Sequence, residues 1–99
     1  MKKEFCIMPK SPYYAIERFY GSERHEIFEG RTGNREKSIK DGLVIFLSPD
    51  QHRNSKTSIH QDPKNSKWVE VKKIAQQTWQ EHYNKTKEDF IKRYGKSYI

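Results

Sequence analysis

The sequence predicts an α+β protein, in which a small β-hairpin packs against helices. Residues 43–47 are five consecutive apolar residues between turn signals, a pattern typical of a buried strand. Residues 24–28 form a second, shorter strand candidate. From Trp68 onward, apolar side chains recur on one broad stripe of a long helix, at Val71, Ile74, Ala75, Thr78, Trp79 and Tyr83. The middle third of the chain is therefore predicted to be strand, loop, strand and short helix, and longer helices follow.

The segments before and between these strands are less regular. Pro9 and Pro12 bracket an irregular N-terminal stretch, and residues 13–20 favour strand without an apolar spacing that decides between strand and helix. Residues 35–40 are polar and fit either a helical turn or an extended connection. The Asp41-Gly42 pair that follows is a strong signal for a hairpin or another tight turn.

The helices have recognisable start and stop signals. Residues 48–50 (Ser-Pro-Asp) combine a capping side chain, a proline and an acid suited to a first helical turn, and residues 62–63 (Asp-Pro) predict a second start. Thr86 and Asp89 have the spacing of a capping box, and Gly95 is a plausible helix end. These helices are expected to pack on one face of the hairpin.

Size and composition exclude several classes of protein. A chain of 99 residues makes at most one domain. Its aromatic content of 13% argues against disorder, and no apolar stretch is long enough for a membrane span or a signal peptide. Cys6 is the single cysteine, which excludes an internal disulfide and a zinc site built from cysteine pairs. The expected compartment is the reducing cytoplasm.

The charge is unevenly distributed. The formal net charge is +7, and the whole excess lies after Gly30, because the first 30 residues carry equal numbers of basic and acidic groups. A basic surface attracts phosphate backbones, which makes a nucleic acid the first partner to consider. The alternative is a solvated surface rich in lysine.

Histidine provides the candidate chemistry. His25 lies in a strand candidate beside Glu26, His52 lies just inside a predicted helix, and His60 follows eight residues later. A hairpin and a following helix that bring such side chains together can hold one divalent ion, since imidazole and carboxylate both bind first-row metals. The alternative is that these histidines are scattered surface or hydrogen-bonding residues, as is expected for His82 on the long helix.

Several segments together resemble small HNH-like endonucleases encoded in bacteriophage and prophage genomes. They are Arg-His-Glu-Ile-Phe at residues 24–28, Asn-Arg-Glu-Lys-Ser at 34–38, Asp-Gly-Leu-Val-Ile-Phe-Leu-Ser-Pro-Asp-Gln-His at 41–52, and the tail motifs at 75–79, 88–91 and 94–98. The resemblance covers residues 24–99. It implies a single domain with a ββα-metal core at residues 23–60, an N-terminal extension at 1–22 and C-terminal helices at 61–99.

The resemblance also implies roles for individual residues. The family pattern makes His25 a metal ligand and Glu26 the general base, whereas the chemistry also permits the reverse, with Glu26 on the ion and His25 activating water. His52 matches the helix histidine that binds the metal. Lys56 stands where a further ligand is often found, and His60 is expected to replace it if the chain folds back.

The expected activity is hydrolysis of DNA phosphodiester bonds with one divalent ion, which is Mg²⁺, Mn²⁺, Ni²⁺ or Zn²⁺. Five basic residues between and after the strands are candidate phosphate contacts: Arg31, Arg35, Lys37, Arg53 and Lys56. The alternative function is a catalytically degenerate module that binds nucleic acid or a protein, for example in phage recombination or in countering a host defence. The sequence indicates no membrane partner and does not define the oligomeric state.

Overall fold

A computed structural model describes residues 4–30 and 33–99. In this part of the chain the predicted α+β class is confirmed, because an antiparallel sheet of strands β1 (Glu23–Glu26) and β2 (Val44–Leu47) packs with helices. Within the same described ranges, none of the helices combines the length and the apolar character that crossing a membrane would require.

The register of the sheet fixes which side chains share a face. His25 lies opposite Ile45, and Glu26 lies opposite Val44. Side chains alternate between the two faces of a strand, so His25 and Glu26 point to opposite sides of the sheet. His25 shares its face with Ile45, which belongs to the hydrophobic core.

Helix α1 (Asn34–Asp41) joins the two strands, where the sequence left a helical turn and an extended connection open. Of the two outcomes predicted for Asp41-Gly42, the tight turn is confirmed and the hairpin is not, because Gly42 forms the turn that ends the helix. Gly42 adopts a left-handed conformation with φ of 78°, which is the common C-terminal stop. A Cβ atom there would lie 2.9 Å from the ring of Phe5 and 3.1 Å from the backbone nitrogen of Ile7. The N-terminal segment therefore packs closely against the end of α1.

Strand β2 is entirely buried, which explains its uninterrupted apolar sequence. Ile45 and Leu47 belong to the core cluster formed with the helices. On another edge of the strand, Ala15 exchanges two backbone hydrogen bonds with Phe46, of 3.0 and 2.8 Å. The strand-favouring segment before β1 thus provides a single bridge to β2 in place of a long strand.

The short helix expected after β2 is one π-helical turn, Asp50–Asn54. Its start is stabilised by Ser48, whose hydroxyl oxygen accepts a hydrogen bond of 3.2 Å from the backbone N–H of Gln51. The chain then folds back, and the backbone N–H of His60 donates to the carbonyl oxygen of His52 at 3.2 Å. This return brings two histidines that are eight residues apart onto neighbouring stretches of backbone.

Helix α2 (Ser66–Tyr83) begins later than predicted. The Asp62-Pro63 pair lies in the turns before it. Asn65 is the actual cap, since its side chain accepts a hydrogen bond of 3.1 Å from the backbone N–H of Lys67. The indole N–H of Trp68 donates to the carbonyl oxygen of Thr57 at 2.8 Å, which fixes the returning segment against the first turn of α2.

Helix α3 (Lys87–Tyr94) has the predicted ends. Both hydrogen bonds of the capping box between Thr86 and Asp89 are present, and Gly95 ends the helix in a left-handed conformation. The ring of Phe28, just after β1, packs on Phe90 with a centroid distance of 5.2 Å. The core formed between the sheet, α2 and α3 includes Trp68, Val71, Ala75, Trp79, Phe90 and Tyr94. The predicted burial of both tryptophans in this core is confirmed.

The carboxylate of Asp41 joins α1 to both C-terminal helices. Its Oδ2 atom accepts hydrogen bonds from the Trp79 indole at 2.9 Å, the Tyr94 hydroxyl at 2.6 Å and Arg93 Nε at 2.6 Å. Burial and this neighbouring carboxylate raise the pKa of Tyr94 well above its usual range. The Tyr94 hydroxyl therefore remains a donor, and the end of α1 stays tied to α2 and α3.

Candidate metal centre

Three imidazole rings from separate segments converge on one point. They belong to His25 on β1, His52 on the π-helical turn and His60 on the returning segment, and one nitrogen of each lies within 4.8 Å of the others. The Nε2 atoms of His52 and His60 are 2.9 Å apart. The predicted approach of these three histidines is therefore confirmed, and they lie close enough to hold one metal ion.

Two of the three rings, those of His25 and His60, are held in the form that binds a metal. His25 is only 3% exposed. Burial lowers its pKa to about 3, and positive charge at His52, His60 and Lys72 acts in the same direction. Burial also lowers the pKa of His60. Both rings are neutral near neutral pH, as a metal-ligating histidine must be.

The Nδ1 atom of His25 is a buried polar atom without a hydrogen-bond partner in the described residues. The Oε1 atom of Glu29 lies 3.5 Å from it, which is ion-pair distance without hydrogen-bond geometry. Buried polar atoms are nearly always paired in proteins. An unpaired imidazole nitrogen within the histidine cluster therefore fits a site for a bound ion.

A carboxylate orients the second ring. Oε1 of Glu23 lies 2.8 Å from Nδ1 of His52, and a hydrogen bond from Nδ1–H leaves the lone pair on Nε2, which faces His60. Histidines that bind metals commonly donate their other nitrogen to a carboxylate in this way. Glu23 was not among the predicted site residues. The available signal was its position two residues before His25, on the same face of the same strand.

Glu26 has different partners from those of the three histidines. Its Oε1 atom accepts a hydrogen bond of 2.9 Å from Arg35 Nε and lies 3.7 Å from an Arg24 guanidinium nitrogen. Glu26 is almost fully buried, and it does not belong to the cluster formed by the histidines. The carboxylate expected to serve as ligand or base is thus engaged by two guanidinium groups.

A cavity of about 300 Å³ opens beside His52 and His60. Two of the predicted phosphate contacts line it, since Arg53 and Arg35 are both on its wall and both exposed. Arg24, which was not predicted, lines it as well. One guanidinium group can donate two parallel hydrogen bonds to phosphate oxygens. The arginines on this wall therefore have the chemistry to hold a phosphodiester close to the histidines.

Two other predicted phosphate contacts, Lys37 and Lys56, are not among the residues that line this cavity. The ammonium group of Lys37 donates to the backbone carbonyl of Arg93 at 2.9 Å, so this lysine holds α1 to the end of α3. Lys56 is exposed on the segment that returns from His52 to His60. Arg31 lies outside the described residues.

Comparisons with family models, curated proteins and solved structures give no match for this chain. Membership of the HNH-like family, a bacteriophage origin and a cytoplasmic location therefore stay predictions from the sequence.

Proposed function

We propose that this protein is a metal-dependent endonuclease that hydrolyses DNA phosphodiester bonds. The observation that carries the proposal is the convergence of His25, His52 and His60 from three segments beside a wall of arginines. Three imidazoles suit Zn²⁺ or Ni²⁺, and also Mn²⁺, better than they suit Mg²⁺, which prefers oxygen ligands.

The residues divide into those that hold the ion and those that hold the substrate. His52 and His60, whose Nε2 atoms face each other, are the principal ligands, and Glu23 orients His52. A divalent ion bound there would polarise a water molecule and stabilise charge on the phosphate in the transition state. Arg35 and Arg53 bind the phosphodiester on the adjoining wall.

His25 is better placed than Glu26 for the remaining role. Its ring belongs to the cluster and is neutral at neutral pH, so it can serve as the third ligand. A pKa of about 3 makes this ring a poor acceptor of a proton from water. Glu26 already accepts from Arg35, and it acts in this proposal by holding that guanidinium beside the cavity.

The proposal is tested by nicking of supercoiled plasmid with Mg²⁺, Mn²⁺, Ni²⁺ and Zn²⁺ in separate reactions. We expect nicking with at least one of these ions, reduced about a hundredfold or more in His52→Ala. His82→Ala is the matched control, because His82 lies on α2 against Tyr83, away from the cluster, and should leave nicking unchanged. Circular dichroism checks that both variants fold. Nicking that survives His52→Ala contradicts the proposal.

A second candidate function is a module that binds DNA or a protein without cleaving. The pairing of Glu26 with Arg35 and Arg24 favours it, since this removes the carboxylate that the resemblance offers as base. A chain that nicks with none of the four ions, yet binds DNA with an affinity that falls steeply as salt rises, would be this module. Binding to an acidic protein and none to DNA would make it a protein-binding module.

A further inference from the structure

A second cavity adjoins the histidine cluster on the side of α2. It has a volume of about 290 Å³ and is lined by His25, Glu29, Ile59, His60, Lys72 and Tyr98. His60 and Glu29 line both this cavity and the one that carries the arginines. The histidine cluster therefore lies between two cavities, and a polymer that crosses it would enter both.

Lys72 provides the positive charge of this second cavity. Its side chain is partly buried, and its ammonium nitrogen lies 5.5 Å from the ring centroid of Tyr98. Within residues 4–30 and 33–99, no atom accepts a hydrogen bond from this ammonium group. Lys72 and His25 line the same cavity. A partly buried ammonium with three donors and no acceptor in the described chain is suited to an anion.

The C-terminal tail forms the wall opposite α2, and a buried glutamine on α2 fixes it in place. Gln76 is fully buried on α2, its Oε1 accepts a hydrogen bond of 2.7 Å from the backbone N–H of Tyr98, and its Nε2 donates to Ser97 Oγ at 3.1 Å. These bonds hold the tail so that Tyr98 closes the cavity. The Lys96 ammonium lies 4.9 Å from the Tyr98 ring centroid.

One acidic residue faces the same space. Glu29 is 44% exposed at its side chain, and its charge opposes that of Lys72 in part. Lys72 is the lysine that lines the cavity, and the Glu29 carboxylate lies 3.5 Å from Nδ1 of His25. A single phosphate group suits this cavity, because it can take positive charge from the lysine on one side and remain open to solvent on the other.

We infer that Lys72 binds the DNA phosphate next to the one held at the histidines, so that α2 and the tail supply one half of the substrate groove. This inference rests on the proposed function for its choice of DNA. The arginine wall and Lys72 then contact the same strand on opposite sides of the histidine cluster. Lys72 lies on helix α2, outside the predicted ββα core at residues 23–60, so the C-terminal helices supply this contact.

The test measures equilibrium binding of a short fluorescein-labelled single-stranded DNA in EDTA, so that neither cleavage nor a metal is involved. Lys72→Met keeps the length of the side chain and removes its charge. We expect about tenfold weaker binding and a salt dependence reduced by about one counterion. Lys72→Arg should restore most of the affinity. Lys73→Met is the matched control, because Lys73 is the exposed neighbour on the same helix, and it should change binding little.

A second measurement locates the contact. The measurement uses a set of DNA strands, each with one phosphate replaced by an uncharged methylphosphonate. At one position, this replacement should weaken binding by the wild type and leave binding by Lys72→Met unchanged. Equal effects of Lys72→Met and Lys73→Met on affinity and on salt dependence would overturn the inference, even if the plasmid is nicked. A specific effect of Lys72→Met without nicking by any ion would support the phosphate contact while the nuclease proposal fails. No binding of DNA by the wild type would overturn both.

Discussion

Glu23 on strand β1 holds the ring of His52 on the π-helical turn, with 2.8 Å between the carboxylate Oε1 and Nδ1. The carboxylate is 40% exposed, whereas the ring is 6% exposed, so a group at the surface orients a group in the interior. Because Nδ1 is engaged, the Nε2 atom of His52 points at His60. The geometry of the candidate metal centre thus depends on a residue outside the three histidines.

Glu23→Gln should weaken metal binding and leave the fold intact. The amide keeps the size of the side chain and loses the charge that strengthens the hydrogen bond to His52. We expect the affinity for Zn²⁺ or Mn²⁺, measured by isothermal titration calorimetry, to fall about 10- to 100-fold. Glu36→Gln, at an exposed position on α1, is the control and should bind as the wild type does. Equal affinities for the wild type and Glu23→Gln would show that the carboxylate does not support the site.

Glu26→Gln separates the two roles that the sequence indicates for this residue. Its carboxylate accepts from Arg35 and lies outside the histidine cluster, so we expect metal affinity to be unchanged. Stability should fall by about 1–3 kcal/mol, because a buried charge-assisted hydrogen bond is weakened. Calorimetric titration with the metal and urea unfolding measure the two effects. A large loss of metal affinity would instead make Glu26 a ligand.

The protein without metal should lose stability in mild acid. Burial lowers the pKa of His25 from its ordinary value of 6.5 to about 3. Between these values the unfolded chain binds a proton that the folded chain does not, so stability falls as the pH decreases through this window. We expect the protein in EDTA to be about 2 kcal/mol less stable to urea at pH 5 than at pH 7 from this residue.

Two variants identify the source of that acid sensitivity. His25→Gln should remove most of the dependence, since glutamine does not titrate. His82→Gln should retain it, because that histidine is exposed on α2. The same slope in His25→Gln and in the wild type would assign the dependence to other groups.

Asp41→Ala should be among the most destabilising substitutions. Its carboxylate accepts from Trp79, Arg93 and Tyr94, and removal leaves these donors without their acceptor. We expect the free energy of unfolding in urea to fall by about 3 kcal/mol. Asp50→Ala, at an exposed position after β2, is the control, with an expected change below about 0.5 kcal/mol. A loss below about 1 kcal/mol for Asp41→Ala would show that these bonds contribute little.

The sequence was informative where a local pattern determines the outcome. The alternation of side chains along a strand separates His25 from Glu26, and the cap at Ser48 places His52 within the next turn. The sequence does not decide whether the chain folds back to bring His60 to His52. A hydrogen bond between Trp68 and Thr57, which are eleven residues apart, helps to hold this fold-back. Neither segment has a local sequence pattern that predicts this bond.

Helix α1 and the position of Lys72 show what local patterns miss. Residues 34–41 lack an apolar stripe, and contacts from other elements support this helix, including a hydrogen bond of 3.0 Å from the Asn34 side chain to the Tyr94 carbonyl. Gly42 ends a helix as readily as it forms a turn, so the dipeptide alone could not decide. Lys72 faces the histidines because of how α2 is rotated against the core, and a stripe of apolar residues defines that rotation only roughly.

The hydrogen bond from Trp68 to Thr57 gives the protein a built-in optical reporter. The indole ring is buried in the core, and its N–H is attached to the segment that ends at His60. A shift of that segment when a metal ion binds the three histidines would change the surroundings of the Trp68 indole. In a Trp79→Phe background, the emission of Trp68 would therefore follow metal binding in real time, with no label attached.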